Sequence, residues 1–244
     1  GFGAALVTAG PGGTNAITGV VGAYQDSVPI LVVSGQSKRN QTVLNSGLSG
    51  LRQFGVQEAN IIPIAKLVTK YAEMVNEPER IRYHLEKAAF LAQEGRPGPV
   101  WLDIPLDVQG SLIEPEKLQG FNPSGEGLLE KEDKGRLLND ANKVLSMLKR
   151  SKRPVVIAGH GIRIAKAVHE FRQLIEAINV PVVTPRLGID LIESSHPLFV
   201  GRPGIKGTRP ANFAMQNSDL LLCIGTNSSV NDEIERLRHS TTAS

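Results

Sequence analysis

The sequence predicts an α/β protein made of two doubly wound parallel-sheet domains. Three observations carry this. Short apolar runs recur without polar alternation, as strands covered on both faces require. Stretches with apolar residues at helical spacing separate those runs. Gly- and Pro-bearing turns punctuate the boundaries between them. Strand–helix alternation of this kind favours a parallel sheet. The 244 residues are 41% apolar and 21% charged, which is a globular composition.

The first unit opens on Ala4-Ala5-Leu6-Val7-Thr8, read as a short buried strand. Gly10-Pro11-Gly12-Gly13 is a tight turn, and Thr14 or Asn15 can cap a helix carrying Ile17, Val20, Val21 and Tyr24. Asp26-Ser27-Val28-Pro29 breaks that helix. Ile30-Leu31-Val32-Val33 is a second buried strand, stopped at Gly35. Residues 37–58 are polar and read as a long loop with one short helix, the kind of loop that is usually functional or mobile. A short extended segment follows Val68. A helix is then marked by Ile81, Leu85, Ala88, Ala89 and Ala92, and Gly95-Arg96-Pro97-Gly98 ends it. Residues 99–105 form the next strand.

The character changes between 110 and 131, where Gly, Pro, Ser and Glu show little periodicity. The expected organisation is therefore a first domain over 1–112, a linker over 113–131 and a second domain over 132–244. In the second, Leu137, Ala141, Val144, Leu145 and Leu148 form one face of an amphipathic helix. Residues 154–158 are a strand ending at Gly159-His160-Gly161. Ile164, Val168, Phe171, Leu174, Ile175 and Ile178 give the apolar face of the next helix, and residues 180–183 and 220–224 are further strands. The first strand starts within a few residues of Gly1, and residues 236–244 close without an evident cap. Both domains are therefore expected to be incomplete, the first at its N-terminus and the second at its C-terminus.

Composition excludes several functions. The balance of 27 Lys plus Arg against 24 Asp plus Glu leaves a net +3, which argues for no nucleic-acid partner. No apolar run is long enough to span a membrane. Cys223 is the only cysteine, so an internal disulfide or Cys-based zinc cluster is impossible. Its place in an apolar run predicts a buried structural thiol, in keeping with a cytoplasmic setting. His84, His169 and His196 have no metal-ligand spacing, so no metal site is expected in this chain.

The turn at Gly10, Pro11, Gly12 and Asn15 lies between strand and helix. Glycines there let the backbone approach a ligand, and a helix start offers free N–H groups. It is not a P-loop, because no Gly-Lys-Ser/Thr ends it. Read from its residues alone, it serves equally well as a structural βα turn.

Several blocks in order resemble the pyrimidine-binding domain of the acetolactate synthase family of thiamine-diphosphate-dependent enzymes. They are Gly10-Pro11-Gly12-Gly13-Thr14-Asn15, Ala23-Tyr24-Gln25-Asp26-Ser27-Val28-Pro29, Ser34-Gly35-Gln36, Gln57-Glu58 and Thr69-Lys70-Tyr71. Residues 95–109, with Trp101-Leu102-Asp103-Ile104-Pro105, continue the likeness. Ala158-Gly159-His160-Gly161 and Ser218-Asp219-Leu220 through Thr226 resemble the central, Rossmann-like domain of the same enzymes.

The resemblance implies an enzyme that decarboxylates a 2-keto acid and transfers the two-carbon unit to a second keto acid. It implies thiamine diphosphate with Mg²⁺, and a second subunit of the same enzyme as partner in a homodimer or tetramer. It places Gly10, Pro11, Gly12 and Asn15 beside the aminopyrimidine, Gln36 near the reaction centre as the catalytic candidate, and Gln57 and Lys70 along the substrate approach. FAD would lie at Gly159, Gly161 and Thr184. That cofactor stays open, because position 164 is Ile where a dinucleotide fingerprint has Gly, and Asn227 stands where the family often has Arg. The family's glutamate and its Gly-Asp-Gly motif do not occur within these residues. The chain alone is accordingly expected to be an inactive fragment. Two other readings remain: another thiamine-dependent decarboxylase or lyase of the same three-domain plan, and a non-catalytic α/β nucleotide-binding module.

Overall fold

A computed structural model describes residues 1–128 and 133–226. Contacts divide the chain into two units, Gly1–Glu130 and Lys131–Ser244.

In the first unit β1 (Gly3–Val7) leads into α1 (Pro11–Gln25) and β2 (Ile30–Gln36). A one-turn α2 (Val43–Ser46) and a short α3 (Ile62–Lys66) precede β3 (Tyr71–Met74). Then come α4 (Ile81–Gln93), β4 (Val100–Pro105) and α5 (Leu106–Gln109). The four strands are all parallel, in the order β1-β2-β4-β3. Alternate residues of β4 feed two cores, which explains its apolar run over Val100-Trp101-Leu102. Trp101 packs with Val20 of α1 and Ile61, Ile62 and Ala65 around α3. Val100 and Leu102 pack with Ala88 and Ala92 of α4 on the other face.

Four expectations change here. β1 is exposed, with Leu6 at 82%; among the described residues it pairs only with β2, at the edge of the sheet. Helix α1 starts at Pro11, with Gly10 as its N-cap and no side-chain cap, so Thr14 and Asn15 lie within the helix. Proline at the first helical position supplies a preset φ, which removes the need for a capping side chain. Of the apolar residues assigned to this helix only Val20 is buried, and Tyr24 is exposed. β2 does not stop at Gly35: it runs on to Gln36, which pairs with Pro105.

The stretch expected as a linker is packed against α4 as far as it is described. Phe121 meets Tyr83 edge-on at 5.8 Å between centroids and lies 5.5 Å from Phe90. Phe121 N donates to Glu86 Oε2 (2.7 Å), and Lys87 Nζ pairs with Glu126 Oε2 (2.7 Å). Two aromatic partners and an ion pair outweigh a Gly/Pro-rich composition.

The second unit contains α6 (Lys134–Arg150), β5 (Pro154–Ala158), α7 (Gly161–Ile164), α8 (Val168–Ile178) and β6 (Val182–Val183). β7 (Phe199–Gly201), α9 (Arg209–Gln216) and β8 (Leu220–Ile224) follow. The sheet is parallel in the order β7-β6-β5-β8. Val156 and Val182 pack with Phe171 and Ile175 of α8 on one face; Val155, Ile157 and Val183 pack with Ala211 and Met215 of α9 on the other. Helix α6 forms as its periodicity predicts, yet it buries no residue: Leu137 and Leu145 are exposed, while Val144 and Leu148 are half-buried. Cys223 is exposed on β8, which pairs among the described residues only with β5, so it is not the buried thiol expected. Asn227 and residues 236–244 lie outside the described residues. No helix among the described residues is long and apolar enough to cross a membrane.

Candidate cofactor site

The carboxyl ends of β1 and β2 carry the turn and the Ser-Gly-Gln stretch side by side, since Val7 pairs with Ser34. Open parallel sheets bind ligands at that end. Gly10 has φ 55 and ψ −111, a conformation that favours glycine. A Cβ there would strike the carbonyl oxygen of Gln57. The turn and the end of the long polar loop therefore touch through backbone alone. Gln57 itself is left-handed, with φ 56. Pro11 and Asn15 are exposed on the first turn of α1, beside this contact. Gly10 is thus brought against Gln57, with Pro11, Gly12 and Asn15 following it in α1.

Glu58 holds the loop in place. It is buried, and its carboxylate accepts from Val43 N (2.6 Å), Phe54 N (2.8 Å) and Gly55 N (3.2 Å). Charge-assisted bonds to backbone N–H groups are the stronger kind. They give a polar stretch with little core of its own a fixed path.

Gln36 does not face an open site. It is 6% exposed, and Nε2 donates to Asp103 Oδ2 (2.9 Å) and Ala59 O (2.9 Å), while Oε1 accepts from Ser37 N (2.9 Å). Its amide is engaged on both sides, so in this arrangement Gln36 positions other groups and is not poised to touch a reacting atom. Asp103, 1% exposed, accepts also from Ser34 Oγ (2.6 Å), which in turn accepts from Trp101 Nε1 (2.8 Å). Burial pushes the Asp103 carboxyl up, and the bonds from Ser34 and Gln36 oppose the shift. Sequence reasoning missed Ser34, Glu58 and Asp103 as site residues. The signal for Asp103 was present: a lone carboxylate inside the apolar run 99–104 must have partners.

Lys70 lies at the opposite end of the sheet. It immediately precedes β3, whose first pairs are Tyr71 with Val100, whereas Gln36 pairs with Pro105 at the far end. Its N donates to Pro99 O (2.8 Å) and its Nζ to Glu94 O. Desolvation lowers its pKa, against the pull of Glu94. Within this unit it tethers the turn after α4 and is not brought to the Gly10 turn.

An open cleft of about 810 Å³ lies at the carboxyl ends of β2, β3 and β4, lined by Lys38, Arg39, Asn45, Asn76, Glu77 and Asp107 among others. Arg39 Nε binds Asp107 Oδ2 (2.7 Å) and its NH1 donates to Asn76 O (2.7 Å). Two cations facing two carboxylates leave the cleft near neutral, which does not make an anion site.

In the second unit, Gly159 and Gly161 serve chain packing. Their N–H groups donate to Ile224 O and Gly225 O (2.8 Å each), and Cβ atoms on either would meet the backbone at Gly225. They are not an open cradle for a diphosphate. Thr184 and His160 differ. Thr184 is fully buried, and its Oγ1 and the buried Nδ1 of His160 have no hydrogen-bond partner among the described residues. Both sit at the carboxyl ends of neighbouring strands β5 and β6, where a polar ligand atom would satisfy them. Among the described residues no group of three or more His, Cys, Asp or Glu could hold a metal ion.

Two parallel α/β units, the first starting a helix at an exposed Pro11 beside its strand ends, place the chain in the class of doubly wound α/β proteins. Residues 1–57 match the N-terminal TPP binding domain of thiamine pyrophosphate enzymes, and residues 141–241 match their central domain. The chain belongs to the thiamine pyrophosphate enzyme family. It is 36% identical over 231 residues to the acetolactate synthase large subunit of Buchnera aphidicola subsp. Schizaphis graminum, an alignment covering 92% of this chain and 37% of that protein. It is 35% identical to the acetolactate synthase isozyme 3 large subunit of Escherichia coli K12 (91% and 37%) and 36% identical to the acetolactate synthase large subunit of Lactococcus lactis subsp. lactis (92% and 37%). The chain spans a little over a third of the length of these relatives.

Proposed function

We propose that this chain is the pyrimidine-side and central portion of an acetolactate synthase-like enzyme, which decarboxylates a 2-keto acid and joins the two-carbon unit to a second keto acid. The observation that carries the reading is the close seating of Gly10 on Gln57, which leaves Pro11 and Asn15 exposed at the carboxyl ends of the strands. Pro11 offers a rigid apolar surface to a planar ring, and the Asn15 amide can both donate to and accept from an aminopyrimidine. Gly10 and Gly12 keep the backbone low beneath it. Thiamine diphosphate, when bound, supplies the electron sink for losing CO₂ from a 2-keto acid. This chain's part is to hold and orient the pyrimidine; Gln57, on the adjacent wall, faces the approaching substrate.

Mg²⁺ would accompany the diphosphate; among the described residues no group of three or more His, Cys, Asp or Glu could hold it. FAD in the second unit is supported by Thr184 and His160 and opposed at Gly159 and Gly161, so the flavin, if retained, meets Thr184. We further propose a homodimer or tetramer in a cytoplasmic setting.

Titrating the full-length protein with thiamine diphosphate in Mg²⁺ by calorimetry tests the reading. Saturable binding is expected, weakened about tenfold by Asn15→Ala through loss of the hydrogen bond proposed to the aminopyrimidine. Binding that is absent, or indifferent to Asn15, would overturn it.

A further inference from the structure

Asp103 is a buried carboxylate that the proposed chemistry does not use. Hydrogen bonds, not a cation, answer it: Ser34 Oγ and Gln36 Nε2 both donate to it. A buried charge is expensive, and an apolar side chain at this position of β4 would cost less. A group kept at such cost points to a geometry that only it imposes.

The geometry concerns the Gln36 amide. A carboxylate oxygen can only accept, so it forces the NH₂ side of Gln36 toward β4 and the oxygen toward Ser37 N. The second proton of that NH₂ then reaches Ala59 O. Ala59 is two residues beyond Gln57, whose carbonyl seats Gly10, and next to Glu58, which ties down Val43, Phe54 and Gly55. A continuous path thus runs from Trp101 through Ser34, Asp103, Gln36 and Ala59 to the Gly10 turn.

We propose that Asp103 is a positioning residue, fixing the Gln36 amide so that the 57–59 segment forms the wall of the thiamine site. The proposal rests on the reading of the Gly10 turn given above. An Asn at 103 has nearly the same shape but presents either an oxygen or an NH₂, so the amide of Gln36 is free to flip and Ala59 loses its tether.

The test uses the full-length protein with Asp103→Asn, Gln36→Ala and the double variant. Two readouts are taken: calorimetric affinity for thiamine diphosphate in Mg²⁺, and amide hydrogen exchange across 53–60. Each single variant should weaken the cofactor about ten- to hundredfold, the loss expected for one charge-assisted hydrogen bond, and should speed exchange in 53–60. The double variant should be no worse than the worse single one, because both break one path. Unchanged affinity and unchanged exchange in a folded Asp103→Asn protein would overturn the proposal, as would additive losses. Ser34→Ala, which removes one donor to Asp103 but leaves the Gln36 bond, should change both readouts less than Asp103→Asn; an equal or larger effect would also overturn it. Should the parent protein bind no thiamine diphosphate, the functional reading falls, and the exchange data alone then decide the positioning claim.

Discussion

At the residue scale, the site is built from backbone proximity more than from reactive side chains. Gly10 carries two constraints at once: a positive φ and a surface occupied by the Gln57 carbonyl. Gly10→Ala should therefore destabilise the first unit by about 1–3 kcal/mol, measured by denaturant unfolding, and weaken thiamine diphosphate binding in parallel. A neutral result would mean that the turn and the loop are not seated on one another. The exposed Asn15 and the buried Gln36 divide the expected roles: one side chain faces outward with its amide available, the other is consumed by Asp103, Ala59 and Ser37. The motif blocks made both residues visible in the sequence, but not this difference. Which side of a strand end a Gln faces depends on register, and β2 runs on through Gly35 instead of stopping there. Glu58 escaped notice for a related reason, since its partners Val43, Phe54 and Gly55 are loop N–H groups that no periodicity marks.

At the element scale, the long apolar strands and helices were legible because burial leaves a period. β2, β4, β5 and β8 stand where their apolar runs predict, and so does α4; the helix expected over Ile164 to Ile178 is instead broken at Lys166, whose φ is 58, so that Ile164 ends α7 and α8 begins at Val168. Short elements that gain their stability from neighbours were not: α3, β7 and α9 have too few residues to show a pattern. The 113–128 stretch was misread because its anchors, Phe121 and Glu126, are isolated in a polar sequence. Phe121→Ala should cost the first unit about 1–3 kcal/mol by denaturant unfolding, more than a freely jointed linker would allow. In the second unit Asp219 stitches the start of β8 to the end of α6, accepting from Ser151 Oγ, Lys152 N and Arg153 N. These bonds hold its carboxyl down to about 2 from 3.8. For a depressed acid, the stabilisation is complete above the ordinary value and disappears as pH falls through the folded one. The difference in melting temperature between the parent and Asp219→Asn should thus be constant near neutrality, shrink below about pH 4 and close toward pH 2. A difference that persists unchanged at pH 2 would show that the charge on Asp219 is not what stabilises this junction.

At the scale of the whole molecule, the two units give complementary halves of one argument. The first presents the Gly10 turn braced by buried polar groups; the second presents Thr184 Oγ1 and His160 Nδ1, two buried polar atoms without partners among the described residues. The family follows from both, since each unit matches its own domain of the thiamine pyrophosphate enzymes. The chain covers 37% of the acetolactate synthase large subunits it resembles, so the proposed activity is tested on the full-length protein. The measurement that tests the account most directly is turnover of pyruvate by the full-length protein with thiamine diphosphate and Mg²⁺, with products analysed by mass. The account predicts cofactor-dependent release of one CO₂ for each acetolactate formed. Release of CO₂ with no coupled product would move the protein to the decarboxylases, and no consumption of pyruvate or any other 2-keto acid at saturating cofactor would contradict the account.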